Sequence, residues 1–433
     1  MPLIHPHLRF KAGNAVTLLE NGVQLFPALC EAFDRATRSI QVEIYIFRLD
    51  AAGRQILHHL KLAALRGVRV RVMLDGFGSA QDEQAIQTEL LSVGAQCRIY
   101  RPEPRQFTLK SFDFKRLRRL HRKIVVVDSR VAFIGGINFE DDYFAPDLLK
   151  RDVEDDYLTP ELLKRDVEDD CLAPELLKRE CDPRFDYAVQ LTGPVVADAV
   201  HAQDLLWLRL NWRLLLRGPR TWRHLRFRHQ RHRAALYPST GNVQAALVLR
   251  DNLRYRKAIE TAYLEGITQA QHTIIIANAY FLPGRKLRYA LIEAARRGVK
   301  VKLLLQGKIE YRMQYHAARW IYDQFLGAGI EIYEYLPSFL HAKVAVLDDV
   351  STVGSSNLDP FSLLLAREAN VLIDDAAFTQ ALRGSLEAAI VHGSKVIEHT
   401  LYARRPLLTR LTDGLAYLLL RVGVSLTGKG SDY

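Results

Sequence analysis

The sequence predicts an α/β protein: two similar α/β/α layered domains packed about a pseudo-twofold axis, with one shared active site. Three observations carry this expectation. AALRGVRVRVMLDG at residues 63–76 returns as AARRGVKVKLLLQG at residues 294–307, each a helix end, a glycine cap and an alternating strand. The strand-like residues 39–47 are answered by residues 273–281. LHRKIVVVDSRVAFIGGIN around His121 is matched by LHAKVAVLDDVSTVGSSN around His341. Each half therefore runs strand, helix, strand, helix, strand, motif, the order of a layered α/β domain.

Taken in order, residues 1–190 form the first domain. Its start, MPLIHPHLRFKAGN, lacks the apolar core of a signal peptide. No later stretch reaches the roughly 20 apolar residues that span a bilayer. After the first motif, EDDYFAPDLLKRDV, EDDYLTPELLKRDV and EDDCLAPELLKREC are three successive copies of a 14-residue unit filling residues 140–181. The insert reads as a tolerated loop expansion, with a proline opening a short helix in each copy. Residues 191–240 form a linker whose stretch 205–233 sets Trp207, Trp212 and Trp222 among arginines without one acidic residue. That is the composition of a segment lying in a membrane interface. Residues 241–400 form the second domain. The tail, 401–433, repeats Leu407, Leu411, Leu415 and Leu418 at helical spacing beside Arg404, Arg405, Arg410 and Arg421.

The motifs carry the chemistry. On a strand, residues two apart face one side, so His121 and Lys123 project together, as do His341 and Lys343. The apolar runs that follow end at Asp128 and Asp348, where a turn begins. Gly135 and Gly136 in one half, and Gly354 and Ser355 in the other, are expected to turn the chain and return Asn138 and Asn357 beside the histidines. A lone HxK is usually an exposed basic pair; two copies with matching aspartate, turn and asparagine point to a phosphodiester site. Lysines and amides suit the non-bridging oxygens. One imidazole can attack phosphorus while the other, protonated, serves the departing alcohol. Each histidine needs a carboxylate to fix its tautomer, and Asp186 and Glu368 are the candidates. No acidic cluster for magnesium accompanies them, so no metal is expected. The four cysteines, Cys30, Cys97, Cys171 and Cys181, show no metal spacing and read as reduced cytosolic thiols.

With its doubled motif, the chain resembles the phospholipase D superfamily with two HKD motifs. GSSNLDPFSLLLAREAN at residues 354–370 resembles the bacterial cardiolipin synthases, most closely their B type. The match runs from about Arg9 to the last residues. The resemblance implies that His121 and His341 are the nucleophile and acid/base pair, with His121 favoured as nucleophile. It gives the phosphate to Lys123, Lys343, Asn138 and Asn357, and the histidines to Asp186 and Glu368. Asp128 and Asp348 complete the catalytic motifs, as loop braces rather than substrate contacts. Ala366 departs from the pattern, since related synthases place an asparagine after the SLxL run.

The implied activity is phosphatidyl transfer through a phosphohistidine, from one phospholipid to the glycerol headgroup of phosphatidylglycerol, without a cofactor. The donor is phosphatidylglycerol, with phosphatidylethanolamine open as an alternative. A phospholipase D-type phosphodiesterase hydrolysing phospholipid or nucleic acid is the competing reading. The net charge of +11 suits an anionic partner of either kind. The tryptophan- and leucine-rich segments favour an anionic membrane surface over nucleic acid. A peripheral protein of the bacterial cell membrane is expected, with the basic residues 110–123 guiding headgroups to the site.

Overall fold

The computed structural model of the protein describes residues 9–103, 118–143, 183–210, 237–252 and 255–426. Runs of β-branched and aliphatic residues alternate with helices through both halves. The first half runs β1 (Lys11–Glu20), α1 (Asn21–Asp34), β2 (Ser39–Ile44), α2 (Ala51–Leu65), β3 (Arg69–Asp75), α3 (Glu83–Ser92) and β4 (Gln96–Tyr100). It closes with β5 (Lys123–Val127), β6 (Val131–Gly135), β7 (Tyr187–Thr192) and α4 (Val196–Arg209). The second half runs β8 (Val243–Arg250), α5 (Ala258–Gln269), β9 (Thr273–Asn278), α6 (Arg285–Arg296), β10 (Lys300–Gln306), α7 (Arg312–Trp320), α8 (Tyr322–Leu326) and β11 (Glu331–Tyr335). It continues through β12 (Lys343–Leu347), β13 (Val350–Gly354), α9 (Pro360–Leu364), β14 (Glu368–Asp374), α10 (Ala376–Gly393), β15 (Ser394–Val396), α11 (His399–Ala403) and α12 (Leu407–Leu426).

The duplication is visible in the pairing. Parallel strands β2-β3-β4 lead into antiparallel β5, β6, β7 and β1, and parallel β9-β10-β11 lead in the same way into β12, β13, β14 and β8. Edge strands β1 and β8 pair antiparallel across the pseudo-twofold, joining 15 strands among the described residues into one sheet. The seam carries a bulge between Lys11 and Asn14. Asn14, wholly buried, fills it: its amide donates to the carbonyls of Lys11 (2.6 Å) and Val243 (3.2 Å) and accepts from Val195 N (2.8 Å). Gly67 (φ 89°) and Gly298 (φ 91°) end the equivalent helices in the left-handed region, as the repeated RGV sequence requires.

Strand alternation builds three large cores among the described residues, beside a small fourth cluster around Trp207. Val125 and Val127 of β5 face α1, α2 and α3 with the outer core of the first half. Ile124 and Val126 face inward, into a cluster shared with Ile275, Val344, Val346 and Val371 of the second half. A third cluster lies under α5, α6, α7, α8 and α12. The two halves of the sheet thus stack face to face over a common apolar layer as well as joining edge to edge.

The structure departs from the sequence reading at the linker. Residue 190 falls inside β7, and α4 packs Val196, Ala199 and Val200 into the shared core, so ordered first-half structure extends to Arg209. Trp207 is not an interfacial anchor. It is buried, with the guanidinium of Arg98 stacked 4.3 Å and that of Arg71 5.4 Å from its ring; the apolar face of α4 needs it for packing. Trp212, Trp222, copies two and three of the repeat, Cys171 and Cys181, and most of the basic stretch 110–123 lie outside the described residues. Cys30 and Cys97 are buried free thiols, each pushed up to about 12 chiefly by burial. No helix among the described residues is long and apolar enough to cross a membrane.

Candidate active site

Each histidine is delivered by one half and held by the other. Leu120 forms a parallel bridge with Arg367, and His121 N donates to the Arg367 carbonyl (3.0 Å). Phe185 likewise bridges Leu340, and His341 N donates to the Phe185 carbonyl (2.8 Å). The next residue in each holding segment is a wholly buried carboxylate, Glu368 or Asp186. His121 Nδ1 lies 3.0 and 3.1 Å from the two Glu368 oxygens, and His341 Nδ1 lies 2.6 Å from Asp186 Oδ2. The carboxylates are therefore exchanged between halves. A proton on His121 Nδ1 satisfies Glu368 and leaves Nε2 for chemistry, while His341 Nδ1 is shared by Asp186, Lys343 Nζ (2.6 Å) and Tyr143 Oη, again leaving Nε2 free of them.

The carboxylates are themselves fixed. Ser355 Oγ donates to Glu368 Oε2 (2.5 Å), while Tyr187 N donates to Asp186 Oδ1 (2.8 Å). Burial lifts Asp186 to about 6, the Lys343 charge opposing. Burial also lowers both imidazoles, His121 against the pull of Glu368, and His341 further under the charges of Lys343, Arg184, Lys123 and His121. Both rings are thus neutral near pH 7 in the free protein, and close enough for His341 to feel His121.

The lysines stand beside their histidines as the strand period predicts. Lys123 Nζ donates to the His121 carbonyl (2.9 Å) and Lys343 Nζ to the His341 carbonyl. Burial lowers Lys123 to about 7 and Lys343 to about 8. An arriving anion would restore their charge. Asn138 is buried and reaches Tyr143 Oη (3.4 Å), which lies 3.0 Å from His341 Nδ1; it thus stands by the opposite half's histidine. Asn357 is buried, and its Oδ1, an acceptor, is without a partner.

Asp128 and Asp348 turn away from this cluster. Asp128 takes the backbone N–H groups of Thr37, Arg38 and Ser39, and Asp348 those of Gln271, His272 and Thr273, pinning the entrances to β2 and β9. Burial raises both carboxyls, but these bonds outweigh it and hold them below the usual range. The glycines differ from the expected turn role. None of Gly135, Gly136 and Gly354 is in the left-handed region. A Cβ on Gly136 would lie 2.4 Å from Asp186 Oδ2, and one on Gly354 would lie 2.3 Å from the Asn370 amide. Close approach, not backbone freedom, demands glycine there. Ala366 contributes its carbonyl to the buried Arg250 guanidinium.

Three nearby residues were not read from the sequence. Tyr143, from the first repeat copy, touches His341; the copy's position just after Asn138 was the available signal. Tyr45 sets its ring 4.7 Å from His121 and under Lys123. Arg184 pairs with Asp142 (3.1 Å) and Glu310 (3.0 Å), linking the halves at the edge of the site. No group of three or more potential metal ligands exists among the described residues. Two imidazoles and two lysines, with the Asn138 amide near His341, form an arrangement that can bind a phosphodiester and pass its phosphoryl group through one ring.

Paired HxK strands across a duplicated α/β fold define the phospholipase D-like class. The family model described as "Cardiolipin synthase, PLD-like domain" matches residues 29–154 and again 263–390, and the chain belongs to that family. It is 38% identical over 421 residues to cardiolipin synthase B of Escherichia coli (strain K12), covering 97% of this chain and 91% of that one. It is 27% identical over 426 residues to a cardiolipin synthase of Geobacillus thermodenitrificans, covering 96% and 75%. In fold it is similar to phosphatidylserine synthase of Haemophilus influenzae, with a TM-score of 0.63 at 16% identity over 98% of this chain and 97% of the other.

Proposed function

We propose that the protein is a cardiolipin synthase working peripherally at the bacterial cell membrane. It transfers a phosphatidyl group from one phospholipid, phosphatidylglycerol in the first instance, to the terminal glycerol hydroxyl of a second phosphatidylglycerol. His121 Nε2 attacks phosphorus as the bond to the headgroup oxygen breaks, and His341 gives that oxygen its proton. His341 then takes the proton of the acceptor hydroxyl, whose oxygen displaces His121. The free-enzyme His341 is neutral, so it takes its proton from solvent as the anionic substrate binds. The phosphodiester charge offsets the lysine and arginine charges that, after burial, depress the ring. Lys123, Lys343, Asn138 and Asn357 hold the phosphate oxygens, while Glu368 and Asp186 hold His121 and His341. One phosphodiester replaces another, so no nucleotide is consumed.

The observation that carries this reading is the exchange of buried carboxylates, which leaves two imidazoles with free Nε2 atoms beside two lysines. The leucine stripe of α12 supports membrane contact. Mass spectrometry of lipids made by the purified protein from defined phosphatidylglycerol or phosphatidylethanolamine donors tests it. Cardiolipin with release of the headgroup alcohol is expected. Phosphatidic acid alone, or cleavage of single-stranded DNA without lipid product, overturns it.

A further inference from the structure

A shallow groove, enclosing about 40 Å³ and open to solvent at its mouth, lies in the second half. Leu305 lies on its floor, Tyr315 and Ala318 of α7 on one wall, and Phe361 and Leu420 close it from α9 and α12. Its lining is mainly apolar.

The inner end adjoins the catalytic cluster. Ala279, in the groove, donates its N–H to the carbonyl of Ala342 (3.1 Å), the residue after His341. Tyr280 Oη donates to Glu310 (2.7 Å), and Glu310 takes Arg184, whose charge acts on His341. At the same end Gln306 accepts Leu340 N at Oε1 (2.9 Å), which fixes the amide; its Nε2 is buried without a partner. A preset donor just past the phosphate position suits an ester carbonyl.

The outer end leads to the surface. A second cavity shares Leu282, Pro360 and Leu420 with the groove and reaches Tyr417 and Arg421. A third shares Arg288, Tyr417 and Arg421 and opens beside the exposed Tyr289 and Trp320. The track is polar at the histidines, apolar in the middle and cationic at an exit beside α12, whose outer leucines are bare. A phospholipid presents the same sequence of chemistry from phosphate through ester to hydrocarbon.

We propose that this groove receives one acyl chain of the phospholipid whose phosphate lies between His121 and His341, with Gln306 Nε2 donating to its ester carbonyl. This rests on the phosphatidyl-transfer reading above. It makes the groove a subsite that selects the lipid by its tail.

Filling the groove tests this in the full chain. Ala318→Trp, and independently Gln314→Phe one turn away, should lower kcat/KM for dioleoyl phosphatidylglycerol at least about tenfold, the loss expected when several methylenes are denied burial. Turnover of monomeric dihexanoyl phosphatidylglycerol should stay within about twofold. The fluorescence rise of a phosphatidylglycerol carrying a parinaroyl chain, read without turnover, should disappear in both variants. An undiminished rise, or equal loss on both substrates in a variant that melts like the parent, overturns the proposal. Should the parent bind the fluorescent lipid in a manner lost in the variants yet make no lipid product, the groove stands and the transferase reading falls.

Discussion

At the scale of single residues, the site sets two buried cations against two buried carboxylates around a pair of neutral rings. Lys123 and Lys343 are pushed down by burial to about 7 and about 8, so above pH 8 the free protein holds both largely uncharged. A bound phosphodiester favours their charged forms and must therefore draw protons from solvent. Calorimetry with a phosphonate analogue of phosphatidylglycerol, in buffers of different ionisation enthalpy, should show proton uptake that grows by about one to two between pH 6 and pH 8.5, beyond the proton His341 takes up at both. KM for the anionic lipid should rise through the same range. Uptake that does not grow with pH contradicts the proposed lysine roles. Removing either imidazole is more severe: His121→Ala or His341→Ala should lower transfer by at least about a thousandfold, since each deletes a bond-forming or proton-moving group. Vesicle binding should survive, measured by cosedimentation; undiminished turnover in both variants discards the mechanism.

At the scale of elements, the bridges Leu120–Arg367 and Phe185–Leu340 decide which carboxylate serves which ring. On the proposed mechanism, the exchange separates the two half-reactions. With a phosphatidyl donor carrying 4-nitrophenol, whose departure needs no proton, Asp186→Asn should still form the covalent adduct on His121. Glu368→Gln should slow that adduct by about 10²–10⁴-fold, because His121 loses the partner that fixes its tautomer. Peptide mapping after alkaline quench reads the outcome, and the reverse pattern would make His341 the nucleophile. Gly136 tests the same geometry sterically. Gly136→Ala must displace the Asp186 carboxylate, which is expected to cost about 1–3 kcal/mol in stability, read by thermal melting. Strand period and repetition made the His–Lys pairs, the glycine-capped helices and the two halves legible in sequence, because each depends on residues close in the chain. The exchange of Asp186 and Glu368, and the contact of Tyr143 with His341, join positions 155 to 247 residues apart. No local pattern encodes such distances. Trp207 misled for a related reason: the same tryptophan–arginine composition serves a membrane interface or, as with Arg98 and Arg71, a stacked interior.

At the scale of the whole molecule, a joined sheet with helices on its outer faces gives the site a rigid frame, and α12 gives the frame an apolar outer edge. The helix has two apolar faces. Ala416, Leu420 and Val424 enter the core of the second half, and Asp413, wholly buried, anchors it through His316 (2.8 Å) and Arg405 (2.6 Å). On the other side Leu408, Leu411, Leu415, Leu418 and Val422 form a stripe, Leu408 being 77% exposed. Such a stripe beside arginines suits the headgroup boundary of an anionic bilayer, where each leucine withdrawn from water contributes up to about 1.5–3 kcal/mol. Replacing Leu408, Leu411 and Leu415 together by serine should therefore weaken binding to phosphatidylglycerol vesicles by at least about a hundredfold, since even partial burial of three side chains exceeds 3 kcal/mol. These side chains face outward, so the melting temperature should hold. High salt should weaken the parent only in part, because the leucine contribution is not screened. Cosedimentation at two salt concentrations measures both terms, and undiminished binding of the triple variant would move the membrane contact away from α12.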